Sequence, residues 1–340
     1  RRAVDIAEQI KIELLPEFRF MGRGFHVGVA SGLASRENNT ISGIELLRRA
    51  DLAMYKAKGL GISDPMLYDS SIDSTAEQRR IVEEELYNSL SMPNEFSINY
   101  QPIVAVETGE MVKAEALARW ESAKIGRIDP DTFISVAEET GLMVDLGRIL
   151  FLKICDDLLA WPDLQVSINI SPAQLNDGTF VRDTIKTLAE RDIDPNRIEI
   201  EITENLVVSN VDMAAYKLDL LHEAGFRTSL DDFGTGFSSI GYLKQLPFDT
   251  LKIDKSFASE VTDNIQDIEM LKAMVIMGHS LGKTVVCEGV ETAEQLEILR
   301  KIDCDLIQGY FFSRPLEITD LKTWREKSAR MNLEGERKTA

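Results

Sequence analysis

Nine polar side chains stand at or beside the ends of short apolar runs in this chain: Glu115, Arg119, Asn169, Glu201, Asp231, Asp232, Lys252, Glu288 and Gln308. Carboxylates and amides with no His or Cys among them suit hard divalent cations such as Mg²⁺ or Mn²⁺ rather than Zn²⁺. Glu115, Asn169, Glu201, Asp231 and Asp232 have the donor types to hold two ions about 4 Å apart. That arrangement activates a water and steadies the leaving oxygen in phosphoester hydrolysis. Arg119 and Lys252 supply the positive charge that a phosphate needs. Singly, each has an ordinary explanation: an Asp pair in a solvated turn, a strand-end salt bridge for Arg119, a snorkelling surface lysine for Lys252. The set is harder to explain that way, because ionisable groups in parallel strands are costly unless paired or metal-bound.

The runs that carry these residues lie near Ile98–Val104, Lys113–Trp120, Gln165–Ile170, Arg197–Thr203, Arg227–Asp231, Thr250–Ile253, Thr284–Cys287 and Asp305–Gln308. Helical patterns separate most of them, at Asp131–Glu139, Val144–Ala160, Phe180–Arg191, Asp212–Glu223, Ile265–Ser280 and Ala293–Arg300. Repeated strand–helix alternation predicts a parallel α/β architecture, and eight runs favour a (β/α)₈ barrel, with an open doubly wound sheet as the alternative. Barrel enzymes place their sites at the C-terminal strand ends, where most of these residues fall.

The first part of the chain reads differently. Ala3–Leu14 and Ile44–Lys58 are helical patterns, Phe25–Ala34 alternates like a strand, and Gly59 and Gly61 stop the second helix. With so few strands this is half a domain. The polar stretch Asp69–Gln78 marks a boundary and Arg79–Leu90 a connecting helix. The expected division is residues 1–72 as a partial α/β domain, 73–330 as the barrel and 331–340 as a tail.

Charge narrows the partners. With 38 basic against 57 acidic side chains the chain carries −19, which should repel a nucleic-acid polymer and an anionic membrane face. Cys155, Cys287 and Cys304 are far apart without CxxC spacing, which fits small buried residues in a reducing, cytoplasmic setting. Charged residues interrupt every apolar stretch before the ~18 residues a membrane helix needs. The chain starts with Arg rather than Met, as a piece of a longer protein would.

Two phosphate-binding patterns fail. Gly282-Lys283-Thr284 runs from helix into strand, the reverse of a P-loop. Asp231-Asp232-Phe233-Gly234-Thr235-Gly236 has Ser239 where a dinucleotide loop needs its third glycine, and two carboxylates at its mouth. Its glycines instead leave the Asp231–Gly236 loop free to carry both acids onto a metal.

Residues ~79–328 resemble the EAL domain, the bacterial cyclic di-GMP phosphodiesterase. The resemblance runs through Tyr100-Gln101-Pro102-Ile103-Val104, Glu115-Ala116-Leu117-Ala118-Arg119-Trp120, Asn169-Ile170-Ser171-Pro172 and Glu201-Ile202-Thr203-Glu204. It continues through Asp231–Gly236, Lys252-Ile253-Asp254, Glu288-Gly289-Val290-Glu291-Thr292 and Gln308-Gly309-Tyr310, with Cys287 where the family usually has Ala. It implies a barrel whose first strand is antiparallel, two Mg²⁺ or Mn²⁺ ions and hydrolysis of cyclic di-GMP to pGpG. Carried over, Glu115, Asn169, Glu201, Asp231 and Asp232 are metal ligands, Glu288 is a ligand or general base, and Lys252 orients water. Gln101, Arg119, Asp254 and Gln308 fall on the substrate side, and Glu204 steadies a mobile Asp231–Gly236 loop near a dimer interface. The rival reading is a receptor that binds the nucleotide without cleaving it, although such receptors usually lack metal-site residues. Residues 1–70 resemble the C-terminal part of a GGDEF domain through Arg49-Ala50-Asp51-Leu52-Ala53-Met54-Tyr55-Lys56-Ala57-Lys58, without the signature motif. Sensor domains upstream are compatible with such an arrangement.

Overall fold

A computed structural model describes residues 2–16, 18–20, 23–25, 27–35, 41–59, 62–204, 206, 211–235, 243–259, 261 and 264–339. It divides into two compact units, Arg1–Glu84 and Glu85–Ala340. In the first, helices Arg2–Leu14 and Gly43–Gly59 accompany two small sheets: Phe18–Phe20 antiparallel to Arg23–Phe25, and Gly32–Leu33 parallel to Met66–Leu67. The single strand expected over Phe25–Ala34 is therefore two short ones. Alternation there is not enough, because only Gly32 and Leu33 find Met66 and Leu67 as ladder partners. The connecting helix is also longer than its pattern, Ser70–Ser89.

The second unit is built on eight strands: β1 (Phe96–Ala105), β2 (Met111–Ser122), β3 (Val166–Asn169), β4 (Ile198–Thr203), β5 (Arg227–Phe233), β6 (Thr250–Ile253), β7 (Thr284–Cys287) and β8 (Leu306–Gln308). Strands β2 to β8 follow one another in parallel, and β1 pairs antiparallel with both β2 and β8. That double pairing closes the sheet into a barrel and excludes the open alternative. A short strand, Gly126–Ile128, adds to the far end of β2.

Helices separate the strands where the 3.6-residue pattern placed them: Pro130–Thr140, Met143–Ala160, Phe180–Glu190, Val211–Glu223, Ile265–Ser280 and Ala293–Lys301. Local chemistry sets several of their starts. Asp129 caps Pro130–Thr140 with Pro at the first turn, and Thr292 opens Ala293–Lys301 with a capping box to Gln295. Ser171 does the same with Gln174 for a short helix, Pro172–Asn176, which periodicity alone is too brief to reveal. Residues 331–339 of the expected tail are helical and continue the helix Ile318–Thr339. All three cysteines are buried and unpaired by disulfides. Among the described residues no helix is long and apolar enough to cross a membrane.

Candidate active site

The barrel's inward side chains stack in layers because alternate residues of a strand face the same side. The layer at the C-terminal ends of the parallel strands centres on Lys252, which is fully buried on β6. Its Nζ lies 2.8 Å from Glu201 Oε2, 3.2 Å from Asp231 Oδ2, 2.7 Å from Glu288 Oε1 and 3.9 Å from Glu115 Oε2. Four acids from β2, β4, β5 and the end of β7 thus converge on one ammonium. Neighbouring strands hold them in place: Asn169 is aligned with Glu201 across β3 and β4.

Amides frame the acids. Asn169 Nδ2 donates to Glu115 Oε1 at 2.6 Å, which turns its carbonyl oxygen toward other partners. Gln308 Nε2 donates to Glu115 Oε2 at 2.6 Å and to Gln101 Oε1 at 3.1 Å. Gln101 in turn donates to the Ser313 carbonyl. Gly309 is essential to that frame, because a Cβ there would collide with the Val290 backbone.

Asp231 and Asp232 show why two consecutive residues can serve one site. Strand geometry would send them to opposite faces. The β5–β6 register steps from Leu230↔Leu251 to Phe233↔Ile253, so β5 carries one extra residue. This is a bulge, and Asp232 adopts a left-handed φ of 55° within it. The strand runs on through Phe233, so the two acids sit on a strand end rather than in a loop; Gly236 lies outside the described residues. Glu204, fully buried, accepts a hydrogen bond from Gly234 N at 3.1 Å. Gly234 has φ 99°, and a Cβ there would meet the Phe257 ring at 2.5 Å.

Crowding of acids shapes their protonation. Burial pushes the Glu201 carboxyl well above the ordinary range against the pull of Lys252, with Glu115 and Asp231 adding to the rise. Burial likewise pushes Glu288 up to about 7, Lys252 opposing it. Asp232 is raised by burial and by Asp231. Burial alone would lower the Lys252 ammonium, but the surrounding carboxylates outweigh it and hold it well above the usual lysine range.

The donor set fits a hard divalent cation. It is all oxygen, it is over-supplied with negative charge, and Glu201 Oε1 is buried with no hydrogen-bond partner. Among the described residues no three carboxylates stand in a metal-holding arrangement, and four of these acids turn onto Lys252.

Two predicted residues stand apart from this cluster. Arg119 lies four residues beyond Glu115 on β2; its Nη1 donates to the Ala118 carbonyl at 2.8 Å, while its Nε is buried without a partner. With Asn169 and Thr203 it lines a cavity of about 740 Å³ that runs between β2, β3 and the helices Pro130–Thr140 and Met143–Ala160. Asp254 accepts from Ser256 N and Oγ at the start of the short helix Lys255–Ser259. Those bonds hold its carboxyl below the usual range against the effect of burial.

Sequence reading missed the layer beneath. Two residues before the site positions on β2 and β4 stand Lys113 and Glu199, buried and paired with each other. The period-2 spacing from Glu115 and Glu201 was the available signal.

The EAL domain family model matches residues 83–315, spanning every strand of the barrel. The chain belongs to the EAL domain family. The cyclic di-GMP phosphodiesterase NbdA of Pseudomonas aeruginosa is 35% identical to this EAL protein over 306 residues, covering 88% of this chain and 39% of NbdA. The bifunctional diguanylate cyclase/cyclic di-GMP phosphodiesterase MucR of the same organism is 31% identical over 324 residues, 94% of this chain and 47% of MucR. The chain therefore spans less than half the length of either relative. The solved structure of the PaMucR phosphodiesterase in its c-di-GMP complex superposes with a TM-score of 0.67 at 33% identity, covering 71% of this chain and 99% of that one.

Proposed function

We propose that this EAL domain is a metal-dependent phosphodiesterase that hydrolyses cyclic di-GMP to linear pGpG. The observation that carries the reading is the convergence of Glu115, Glu201, Asp231 and Glu288 on Lys252 at the barrel mouth, with Glu201 Oε1 buried and unpartnered. The nucleotide specificity rests on similarity to NbdA and MucR and to the c-di-GMP complex.

Glu115, Asn169, Glu201, Asp231 and Asp232 would hold Mg²⁺ or Mn²⁺, two ions in all. Bound there, the ions would supply Lewis-acid polarisation of the phosphodiester and acidify water. Glu288, whose carboxyl titrates near neutrality, accepts the proton of the attacking water. Lys252 Nζ, 2.7 Å from Glu288 Oε1, orients that carboxylate and the water beside it. The water oxygen bonds to phosphorus as the bond from phosphorus to the ribose 3′ oxygen breaks. The departing 3′ oxygen takes up a proton from solvent, leaving a 5′-phosphate and a free 3′ hydroxyl, and Glu288 returns its proton to solvent. Arg119 offers its unpartnered Nε to a phosphate, and Gln101, Asp254 and Gln308 line the substrate side. Glu204 braces the turn that follows Asp232.

Residues 1–72 we read as the C-terminal part of a GGDEF-like domain. The alignment with MucR covers 94% of the chain and so reaches ahead of residue 83. A homodimer through the barrel, sensor domains elsewhere in the parent protein and a cytoplasmic setting complete the proposal. Incubation with cyclic di-GMP and Mg²⁺ should yield pGpG. Tight nucleotide binding with no pGpG would instead make the domain a receptor.

A further inference from the structure

Beneath the carboxylate layer the barrel has a floor made by the residues two positions further in. Three of its positions are apolar, with Ile103, Val286 and Leu306 packed together. The other positions are polar. Lys113 and Glu199 form an ion pair while only 6% and 4% exposed. Ser167 Oγ donates to Glu199 Oε1 at 3.3 Å, and Thr250 Oγ1 donates to Glu199 Oε2 at 2.9 Å. The proposed reaction uses none of these groups. Nor is stability a sufficient reason for them, because well-packed apolar residues can often replace a buried ion pair at no loss.

We propose that the Lys113–Glu199 pair acts on the site through its charge, setting the potential under the carboxylate layer and thereby the affinity of that layer for a divalent cation. The inference rests on the metal site proposed above. Two residues along a strand are about 6.6 Å, so each charge of the pair lies one layer from a ligand: Lys113 below Glu115, Glu199 below Glu201. At such separations in a water-excluded interior a unit charge is felt strongly and salt screens it little. Paired, the two charges cancel, and the layer above keeps its own balance of four carboxylates against Lys252. Without Lys113, the unpaired Glu199 carboxylate would lie beneath the ions. Without Glu199, a second ammonium would lie there. The two single changes therefore act in opposite directions, whereas a merely structural pair would weaken the site in both.

The test is Mn²⁺ binding by calorimetry on the folded full chain, read without substrate. Lys113→Gln should bind Mn²⁺ about tenfold tighter and Glu199→Gln about tenfold weaker. The double variant Lys113→Gln/Glu199→Gln should return to within about twofold of the unaltered protein. Shifts of the same sign in both single variants, or no shift, would overturn the inference. If a single variant does not fold, the double variant decides. It keeps the floor neutral but leaves a single amide oxygen where Ser167 and Thr250 donate to two carboxylate oxygens, so a loss beyond about tenfold would mean the pair acts by packing. An unaltered protein that binds no Mn²⁺ would overturn the proposed metal site itself, and the role of the pair with it.

Discussion

Lys252 Nζ lies 2.8 Å from Glu201 Oε2, and this fully buried contact holds together a site with more negative than positive charge. Removing the ammonium would leave four carboxylates facing one another. Lys252→Met should therefore destabilise the metal-free protein by about 3–5 kcal/mol, the usual cost of breaking a buried pair. With a divalent ion present the protein should fold, yet kcat should fall by roughly 10²-fold or more. Glu288→Gln should lower kcat to a similar degree with little change in cyclic di-GMP affinity measured in Ca²⁺. Near-normal kcat in folded Glu288→Gln would show that Lys252 and Glu288 form only a structural salt bridge.

The crowded acids give the metal-free protein a pH signature. Glu288 titrates at about 7 in the fold against 4.5 ordinarily, and Glu201 and Asp232 are also raised. A raised carboxyl favours the folded state below its unfolded pKa, and that stability is lost as pH rises through the folded value. In EDTA the melting temperature should fall between about pH 5 and pH 8. Saturating Mn²⁺ should raise it at pH 8 and flatten the slope, since a ligand specific to the folded state stabilises it. A flat profile in EDTA would contradict the crowding.

Arg119 should behave as a binding residue rather than a chemical one. Its buried, unpartnered Nε is available to a phosphate. Arg119→Ala should raise KM for cyclic di-GMP by about tenfold or more, the worth of a charge-assisted hydrogen bond, while kcat changes less. A fall in kcat at unchanged KM would place it in the chemistry instead.

Glu204 accepts from Gly234 N, two residues past Asp232. Glu204→Ala removes that acceptor from a buried turn and should weaken Mn²⁺ binding and turnover together. Glu204→Gln keeps a carbonyl acceptor and should recover most of both. Wild-type metal affinity and turnover in Glu204→Ala would remove its supporting role.

The sequence alone determined the alternation of eight apolar runs with helices, because strand and helix periods are written locally in which residues are apolar. Thr250–Ile253 and Thr284–Cys287 have the same limits in both readings. Residue types at the strand ends also suggested the hard-cation site proposed above. What local patterns do not contain is register, and register decided the rest. Pairing of Phe96–Ala105 with both Met111–Ser122 and Leu306–Gln308 closed the sheet. One extra residue on β5 put Asp231 and Asp232 together at one strand end, where an unbroken strand would have sent them to opposite faces. The same three-dimensional pairing put Lys252 among four acids from four strands and brought Lys113 to Glu199, 86 residues away. The Phe25–Ala34 alternation failed for the complementary reason: a strand needs a neighbour to complete its ladder, and no pattern within one segment says whether that neighbour is there.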